Sequence, residues 1–117
     1  MLVDVAIRLS YLEFIKHIKI TESDVVASNS LKGSHSKMPI TTPGHPEAIG
    51  IWAVYYFDLH IMNFDEINSP VKGYGHKMVD CFLSDFPKGW QASVIFDWSN
   101  GFWDKMKDKY SNIYWMY

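Results

Sequence analysis

The sequence predicts an α+β domain in which strands and helices alternate along the second half of the chain. An apolar run at 49–62 is typical of a strand, a glycine-rich turn follows it, and a helix-like segment at 71–83 begins with that turn. The chain has 117 residues, of which 48% are hydrophobic and 16% aromatic. A chain of this size and apolar content builds one core, so we expect a single domain spanning 1–117.

The first fifty residues give weaker patterns. Residues 2–9 alternate loosely between apolar and polar side chains, which predicts a strand. For residues 11–20, Ser10 and Glu13 have the spacing of a capping box and favour a helix, although alternate residues there also fit a strand. Residues 28–50 contain three prolines and three glycines and predict a long loop. Such a loop is either functional or a disordered surface segment.

The apolar run at 49–62 is too continuous for an exposed strand and predicts one central strand. Asp58 and His60 lie two residues apart within it and therefore share a face. Two titratable groups in an otherwise buried sheet are candidates for chemistry. Residues 63–70 leave this strand and carry Asp65 and Glu66 to the edge of the glycine turn.

The glycine turn is the candidate functional centre. Gly73 and Gly75 open a segment in which apolar residues recur at helical spacing. A strand that leads through a glycine turn into a helix can hold phosphate, because the backbone approaches closely and the first N–H groups point at the anion. A turn that simply starts a helix is the alternative. The candidate binding residues are Val71, Lys72, Gly73, Tyr74, Gly75, His76 and Lys77.

The rest of the chain continues the alternation of elements. After a break at 87–89, the patterns predict a strand at 91–98, a turn at 99–101, a helix at 102–110 and an aromatic strand at 113–117. The last strand either packs into the sheet or forms an edge that pairs with a second copy, so a homodimer stays open.

This order of elements resembles the C-terminal half of the GNAT superfamily of acetyl-CoA-dependent N-acetyltransferases, over residues 49–117. In that family an R/Q-x-x-G-x-G/A turn holds the coenzyme A pyrophosphate. Gly73 and Gly75 fall on its two glycines, and Pro70 stands where the family prefers Arg or Gln. The resemblance implies a mixed, mainly antiparallel sheet flanked by helices, acetyl-CoA as acyl donor and a small-molecule or peptide amine as acceptor. It also implies that the 28–50 loop faces the substrate.

The resemblance also points to a catalytic base. In GNAT proteins the base commonly sits on the central strand before the pyrophosphate turn, which here means Asp58 or His60. The ordinary pKa of His60 lies near neutrality, whereas the pKa of Asp58 would have to be raised by burial. Glu47 on the loop is a third candidate. For Asp58 and His60, a structural hydrogen bond to backbone is the alternative role.

A general acid is less well matched. Many family members carry a tyrosine in a pattern N-x-x-A-x-x-F-Y-E-K, and the local match begins at Asn100, which we include among the cofactor-binding candidates. Trp103 stands where the tyrosine would be, and an indole is not an acid. Tyr110, two turns along, is the replacement in that helix.

The composition of the chain bears on its possible partners, its location and the presence of a metal site. A net charge of −2 gives no general attraction to nucleic acid or membranes, and no run of about 20 apolar residues occurs. The single cysteine, Cys81, excludes an internal disulfide and favours a reducing cytoplasm; its position predicts a core residue. No histidine or cysteine spacing is typical of a metal site. Two hypotheses follow: an N-acetyltransferase, or a GNAT-like module that binds coenzyme A or a protein partner without turnover.

Overall fold

A computed structural model of the chain describes residues 1–33, His35 and 37–116. Within these residues, six strands form one sheet in the order β1-β2-β3-β4-β5-β6. The first three pairings are antiparallel and the last two are parallel. The predicted α+β class, with a mixed sheet flanked by helices, is confirmed. The elements are α1 (Leu2–Ser10), β1 (His17–Ile20), β2 (Asp24–Ser28), β3 (Gly50–Tyr56), β4 (Ile61–Asn68), α2 (Tyr74–Leu83), β5 (Gln91–Ser93), α3 (Phe102–Lys109) and β6 (Tyr114–Trp115).

The prediction of a strand at 2–9 is wrong, because these residues form α1. Its buried residues are Leu2, Val5, Ala6 and Leu9, which follow the spacing of one helix face. That face packs on α2, β1 and β2. The alternation read from the sequence came from residues such as Val3 and Ile7, which are 61% and 48% exposed. The helical period was present but was overlaid by exposed apolar side chains.

The helix predicted at 11–20 is also wrong, and the strand alternative is the observed one. Ser10 ends α1 and its Oγ donates to the carbonyl oxygen of Ile7, so it caps no following helix. The chain turns and forms β1, which pairs with β2. No element had been predicted for β2, whose residues Val25 and Ala27 are fully buried.

The single strand predicted at 49–62 is a hairpin. β3 ends at Tyr56, residues 57–60 form a turn in which His60 has a φ of 53°, and β4 returns antiparallel. Asp58 and His60 are therefore exposed turn residues and do not share a face of a buried strand. The segment expected to leave the sheet at 63–70 is mostly the second part of β4. A strand averages about 5–6 residues, and that length already favoured dividing the run.

The C-terminal half follows the predicted order more closely. The helices expected at 71–83 and 102–110 are α2 and α3. The strand predicted at 91–98 stops at Ser93, and the one predicted at 113–117 contains only β6 at the sheet edge. Tyr117 lies outside the described residues. In the part of the chain that the structure describes, no helix is long and apolar enough to cross a membrane.

The core joins the helices to the centre of the sheet. The Phe64 ring lies 5.5 Å from that of Phe82 on α2 and 4.8 Å from that of Trp103 on α3. Arg8 Nε donates to the carbonyl oxygen of Cys81 at 2.7 Å and so ties α1 to α2. Cys81 is buried, as predicted for a core residue, and burial raises the pKa of its thiol to about 11. At neutral pH it is therefore a protonated thiol and a poor nucleophile.

The long loop between β2 and β3 is tied to one end of the sheet. Its described residues contain no helix or multi-residue strand, as predicted. Asn68, at the end of β4, donates to the carbonyl oxygens of His45 and Ala48 at 2.8 and 2.7 Å and accepts from the Gly44 N–H at 2.9 Å. Gly50 is the register partner of Asn68, and a Cβ there would lie 2.3 Å from the carbonyl oxygen of Ile40. The loop backbone therefore packs directly against this end of the sheet.

We expect Asn68→Asp to destabilise the protein by about 3 kcal/mol. The substitution removes both amide donors, leaves two carbonyl oxygens without them and buries a negative charge beside these oxygens. Urea denaturation measures the change, and Asn112→Asp, at an exposed position, is the matched control. If both variants unfold at the same urea concentration, Asn68 does not anchor the loop.

Candidate functional site

A groove lies where the parallel strands β4 and β5 separate. They pair only from Ile61 with Gln91 to Asn63 with Ser93. β4 then continues to Asn68, whereas the chain after β5 turns away toward α3. The resulting groove has a volume of about 280 Å³. It is lined by Pro43, Gly44, Phe64, Asp65, Glu66, Ile67, Asn68, Ser69, Gly75, Phe96, Trp98, Ser99, Phe102 and Trp103.

One end of this groove meets the glycine turn. Gly73 is the N-cap of α2 with a φ of 92°, a left-handed conformation that favours glycine. Among the described residues, no side chain caps this helix end. Gly75 lines the groove, and a Cβ at this position would lie 3.3 Å from Cε1 of Phe102. Gly75, in the first turn of α2, thus lines the groove without side-chain bulk, while the N–H of Tyr74 donates to the carbonyl oxygen of Val71 at 3.3 Å.

The point where the strands separate is held by a chain of polar side chains. Ser93 Oγ donates to Asn63 Oδ1 at 2.7 Å, and Asn63 Nδ2 donates to Asp65 Oδ1. Ser93 and Asn63 are 2% and 6% exposed. Their hydrogen bonds therefore fix the orientation of the Asp65 carboxylate from the buried side.

A bulge in β4 creates the position of Asp65. Glu66 pairs with Trp52 and Phe64 pairs with Ala53, so Asp65 is an extra residue in the ladder. The bulge lets Asp65 and the neighbouring Glu66 both line the groove. Glu66 Oε1 accepts a hydrogen bond of 2.7 Å from Thr41 Oγ1, which links it to the long loop.

The carboxylates give the groove its charge. Burial raises the pKa of Asp65, the hydrogen bond from Asn63 partly opposes this, and the negative charge of Glu66 adds to the increase. Of the described residues that line the groove, these two are the carboxylates and none is Lys, Arg or His. The groove interior is therefore anionic at neutral pH.

Aromatic rings form the other wall. Phe64 and Trp103 are buried at its base, and Phe102 lies beside Gly75. Phe96 and Trp98 stack with ring centroids 6.3 Å apart, yet they are 66% and 73% exposed. These two rings come from the segment predicted as strand, and because that segment leaves the sheet they reach the groove instead.

The predicted cofactor-binding residues cluster at the glycine end but differ in their surroundings. Val71, Lys72, Gly73 and Lys77 are exposed there. The Tyr74 ring stacks on Phe14, in the turn after α1, with ring centroids 4.2 Å apart. His76 Nε2 lies 2.7 Å from Nζ of Lys109. Asn100 is exposed on the loop before α3 and is not part of the groove lining.

The predicted catalytic residues do not meet at the groove. Asp58 and His60 lie in the turn at the opposite end of β4, where the His60 ring stacks on Trp90 at 5.3 Å. The Tyr110 hydroxyl donates to Asp80 Oδ1 on α2. Burial and that bond raise the pKa of Tyr110. Glu47 is exposed on the loop and does not line the groove.

The titratable groups that the structure does place in the groove are Asp65 and Glu66. The sequence had located both near the edge of the glycine turn, but it assigned them no role. A polar pair inside an apolar strand pattern is a usable signal, although the bulge that turns both toward the groove leaves no mark in the sequence.

Comparison with known proteins does not assign a family. No protein-family model matches the chain, and no curated protein or solved structure is significantly similar to it. The function of the chain is therefore inferred from the geometry and chemistry of the groove.

We expect Asp65→Asn to stabilise the protein at neutral pH. Because folding raises the pKa of this carboxyl, the folded state loses stability as the pH rises from the ordinary carboxyl pKa through the raised one. Solvent screens a half-buried group, so the gain is on the order of 0.5 kcal/mol, or about 2–3 °C in Tm.

Thermal denaturation between pH 4 and pH 8 measures this effect, which should shrink toward the acidic end. Glu22→Gln, an exposed carboxylate outside the groove, should leave Tm unchanged. A lower Tm for Asp65→Asn at neutral pH would contradict the environment described for this residue.

Proposed function

We propose that this protein is a GNAT-like N-acyltransferase that transfers an acetyl group from acetyl-CoA to an amine. The observation that carries the proposal is the groove between β4 and the chain after β5. One end of this groove lies at the start of α2, where Gly73 is the N-cap. An extended donor with a diphosphate at one end fits this shape. The glycine positions that resemble the family turn, Gly73 and Gly75, lie at the end where the diphosphate would bind.

The edge of β4 supports binding of an extended arm. Beyond Asn63, no described strand pairs with β4 on the β5 side. Peptide groups on such an edge can bond to an added strand-like ligand, and the pantetheine arm of coenzyme A carries two amides. From Asp65 to Asn68, where β4 ends, the strand advances about 10 Å at 3.3 Å per residue, so the arm would run along this edge.

The charges around the groove support the same orientation. Lys72 and Lys77 are exposed near the start of α2, outside the anionic interior, with Lys77 Nζ 5.7 Å from the centroid of the Tyr74 ring. The His76 ring instead contacts Asp80 and Lys109. Phosphates are favoured at that end by the two exposed lysines and by the dipole of α2. The thioester would then lie farther along β4, near Asp65.

The proposed reaction assigns the base role to Asp65 in place of Asp58, His60 and Glu47. The neutral amine attacks the thioester carbonyl carbon, the C–N bond forms and the C–S bond breaks. The Asp65 carboxylate takes the proton that the amine nitrogen loses, and the departing thiolate takes a proton from solvent. The raised pKa of Asp65 makes its carboxylate a stronger base than an exposed one.

A coenzyme A-binding module without turnover is the second candidate function. It is favoured by the position of the hydroxyl of Tyr110, which bonds to Asp80 on the surface of α2 instead of facing the groove. No acid for the departing thiolate is then supplied by α3. The two candidates share the donor site and differ in whether thiol is released.

Calorimetry with acetyl-CoA tests the donor site. We expect binding, and we expect a thioester that lacks the nucleotide, S-acetyl-N-acetylcysteamine, to bind much more weakly because it has no phosphates. Replacing Lys72 and Lys77 together by Gln should weaken acetyl-CoA binding about tenfold. Lys88→Gln, an exposed lysine after α2, is the control. Gly75→Trp should abolish binding, because the indole would enter the groove.

Absence of heat together with an unchanged Tm would remove coenzyme A from the proposal. Equal binding of the full and truncated thioesters would remove the phosphate site. The lysine variants keep this test decisive if Gly75→Trp fails to fold.

Release of free thiol from acetyl-CoA, followed over a panel of amines, separates catalyst from binder. We expect Asp65→Asn to lower the rate by about 10²–10⁴-fold while acetyl-CoA affinity is kept, since the substitution removes the base and leaves the phosphate end of the donor site unchanged. His60→Ala should leave both the rate of thiol release and the affinity for acetyl-CoA unchanged. Binding without thiol release in the unmodified protein would establish the second candidate instead.

A further inference from the structure

The charge of the groove differs sharply from that of its glycine end. The interior contains Asp65 and Glu66, and no described lining residue carries a positive charge. The lysines lie outside, around the glycine turn. A second ligand that enters the interior therefore meets two carboxylates without a countercharge from the lining, and a cation is the species they attract.

The aromatic wall of the groove indicates which kind of cation would bind there. Phe96 and Trp98 present largely exposed ring faces at the groove, and Phe102 continues the same wall. Aromatic faces attract cations electrostatically and also bury apolar carbon. Carboxylates opposite such rings favour a molecule that is both positively charged and apolar over a polar cation.

The volume of the groove indicates the size of a ligand that would fill it. About 280 Å³ is near the lower end of ligand pockets, which run from about 300 to 1,000 Å³. A compact molecule would fill this space.

We propose that the acceptor is a small primary alkylammonium with an aromatic or branched apolar body. Its nitrogen would lie between Asp65 and Glu66, and its body would lie against Phe96 and Trp98. The role of this amine as acceptor rests on the proposed function. Its binding to the groove does not depend on acetyl-CoA.

The side chains behind the carboxylates support this role. Asn63, itself bonded to Ser93, holds Asp65, and Thr41 holds Glu66 from the opposite side. In the part of the chain that the structure describes, each carboxylate thus has one bonded oxygen, Oδ1 of Asp65 and Oε1 of Glu66, and the second oxygen can accept from a ligand. The bound ammonium loses one proton to solvent before attack, and Asp65 takes the second proton, which the nitrogen loses as the C–N bond forms, while Glu66 holds the nitrogen in place.

Calorimetry without coenzyme A tests the site with three probes of similar shape: 2-phenylethylamine, 2-phenylethanol and 3-phenylpropionate. We expect the amine to bind at least about tenfold more tightly than the alcohol. The carboxylate probe should not bind, because it would meet Asp65 and Glu66. Equal affinity for amine and alcohol, or preference for the carboxylate, would overturn the inference.

Variants locate the binding within the groove. Asp65→Asn, Glu66→Gln and Trp98→Ala should each weaken amine binding about tenfold. Glu22→Gln and Tyr114→Ala remove an exposed carboxylate and an exposed ring outside the groove and should not change it. Circular dichroism checks that every variant is folded. Amine binding that survives all three groove variants would place it elsewhere and overturn the inference.

Thiol release then separates this inference from the proposed function. Release with 2-phenylethylamine supports both. Binding of 2-phenylethylamine without release under any amine would refute acyl transfer and leave the cation site. Release with ethanolamine or a lysine-containing peptide, but not with 2-phenylethylamine, would refute the acceptor class and leave acyl transfer intact.

Discussion

The site depends on a parallel pairing that stops after three residues. β5 accompanies β4 only as far as Asn63 and Ser93, where a buried hydrogen bond of 2.7 Å joins the two side chains. If pairing continued to Asn68, the edge of β4 would be covered and the groove would be filled. Because Phe96 and Trp98 leave the sheet instead, their rings become a wall of the groove. The same short ladder thus creates both the unpaired strand edge and the aromatic surface opposite it.

The loop before β3 contributes the remaining side of the groove. Asn68 holds its backbone through three hydrogen bonds, and Thr41 reaches Glu66. A proline-rich segment of this length has little secondary structure to order it. Buried polar contacts with β4 take that role, since a half-satisfied Asn68 would be costly. The loop therefore shapes the site through the same strand that carries the two carboxylates.

The sequence predicts correctly those elements whose residue pattern fits only one type of secondary structure. Helices α2 and α3 follow glycines at 73 and 101 and have clear apolar spacing, and both were found. The hairpin is not evident in the sequence because β3 and the first two residues of β4 are apolar and the turn between the strands, at 57–60, contains two apolar residues. The prediction of a single strand therefore placed Asp58 and His60 in the sheet. The bulge at Asp65 depends on register with β3, a tertiary property that one strand's sequence does not contain.

The position of Asp65 is itself an argument for function. A carboxylate that is half-buried beside a second one raises the free energy of the folded state at neutral pH, and an asparagine would make the same bond with Asn63 without the charge. The fold nevertheless holds this group by a buried amide, and no described lining residue offers a countercharge. Such unbalanced charge is typical of sites where a ligand supplies the missing partner. A purely structural groove would be more stable without the negative charge of Asp65. The two carboxylates are therefore stronger evidence for function than the shape of the groove.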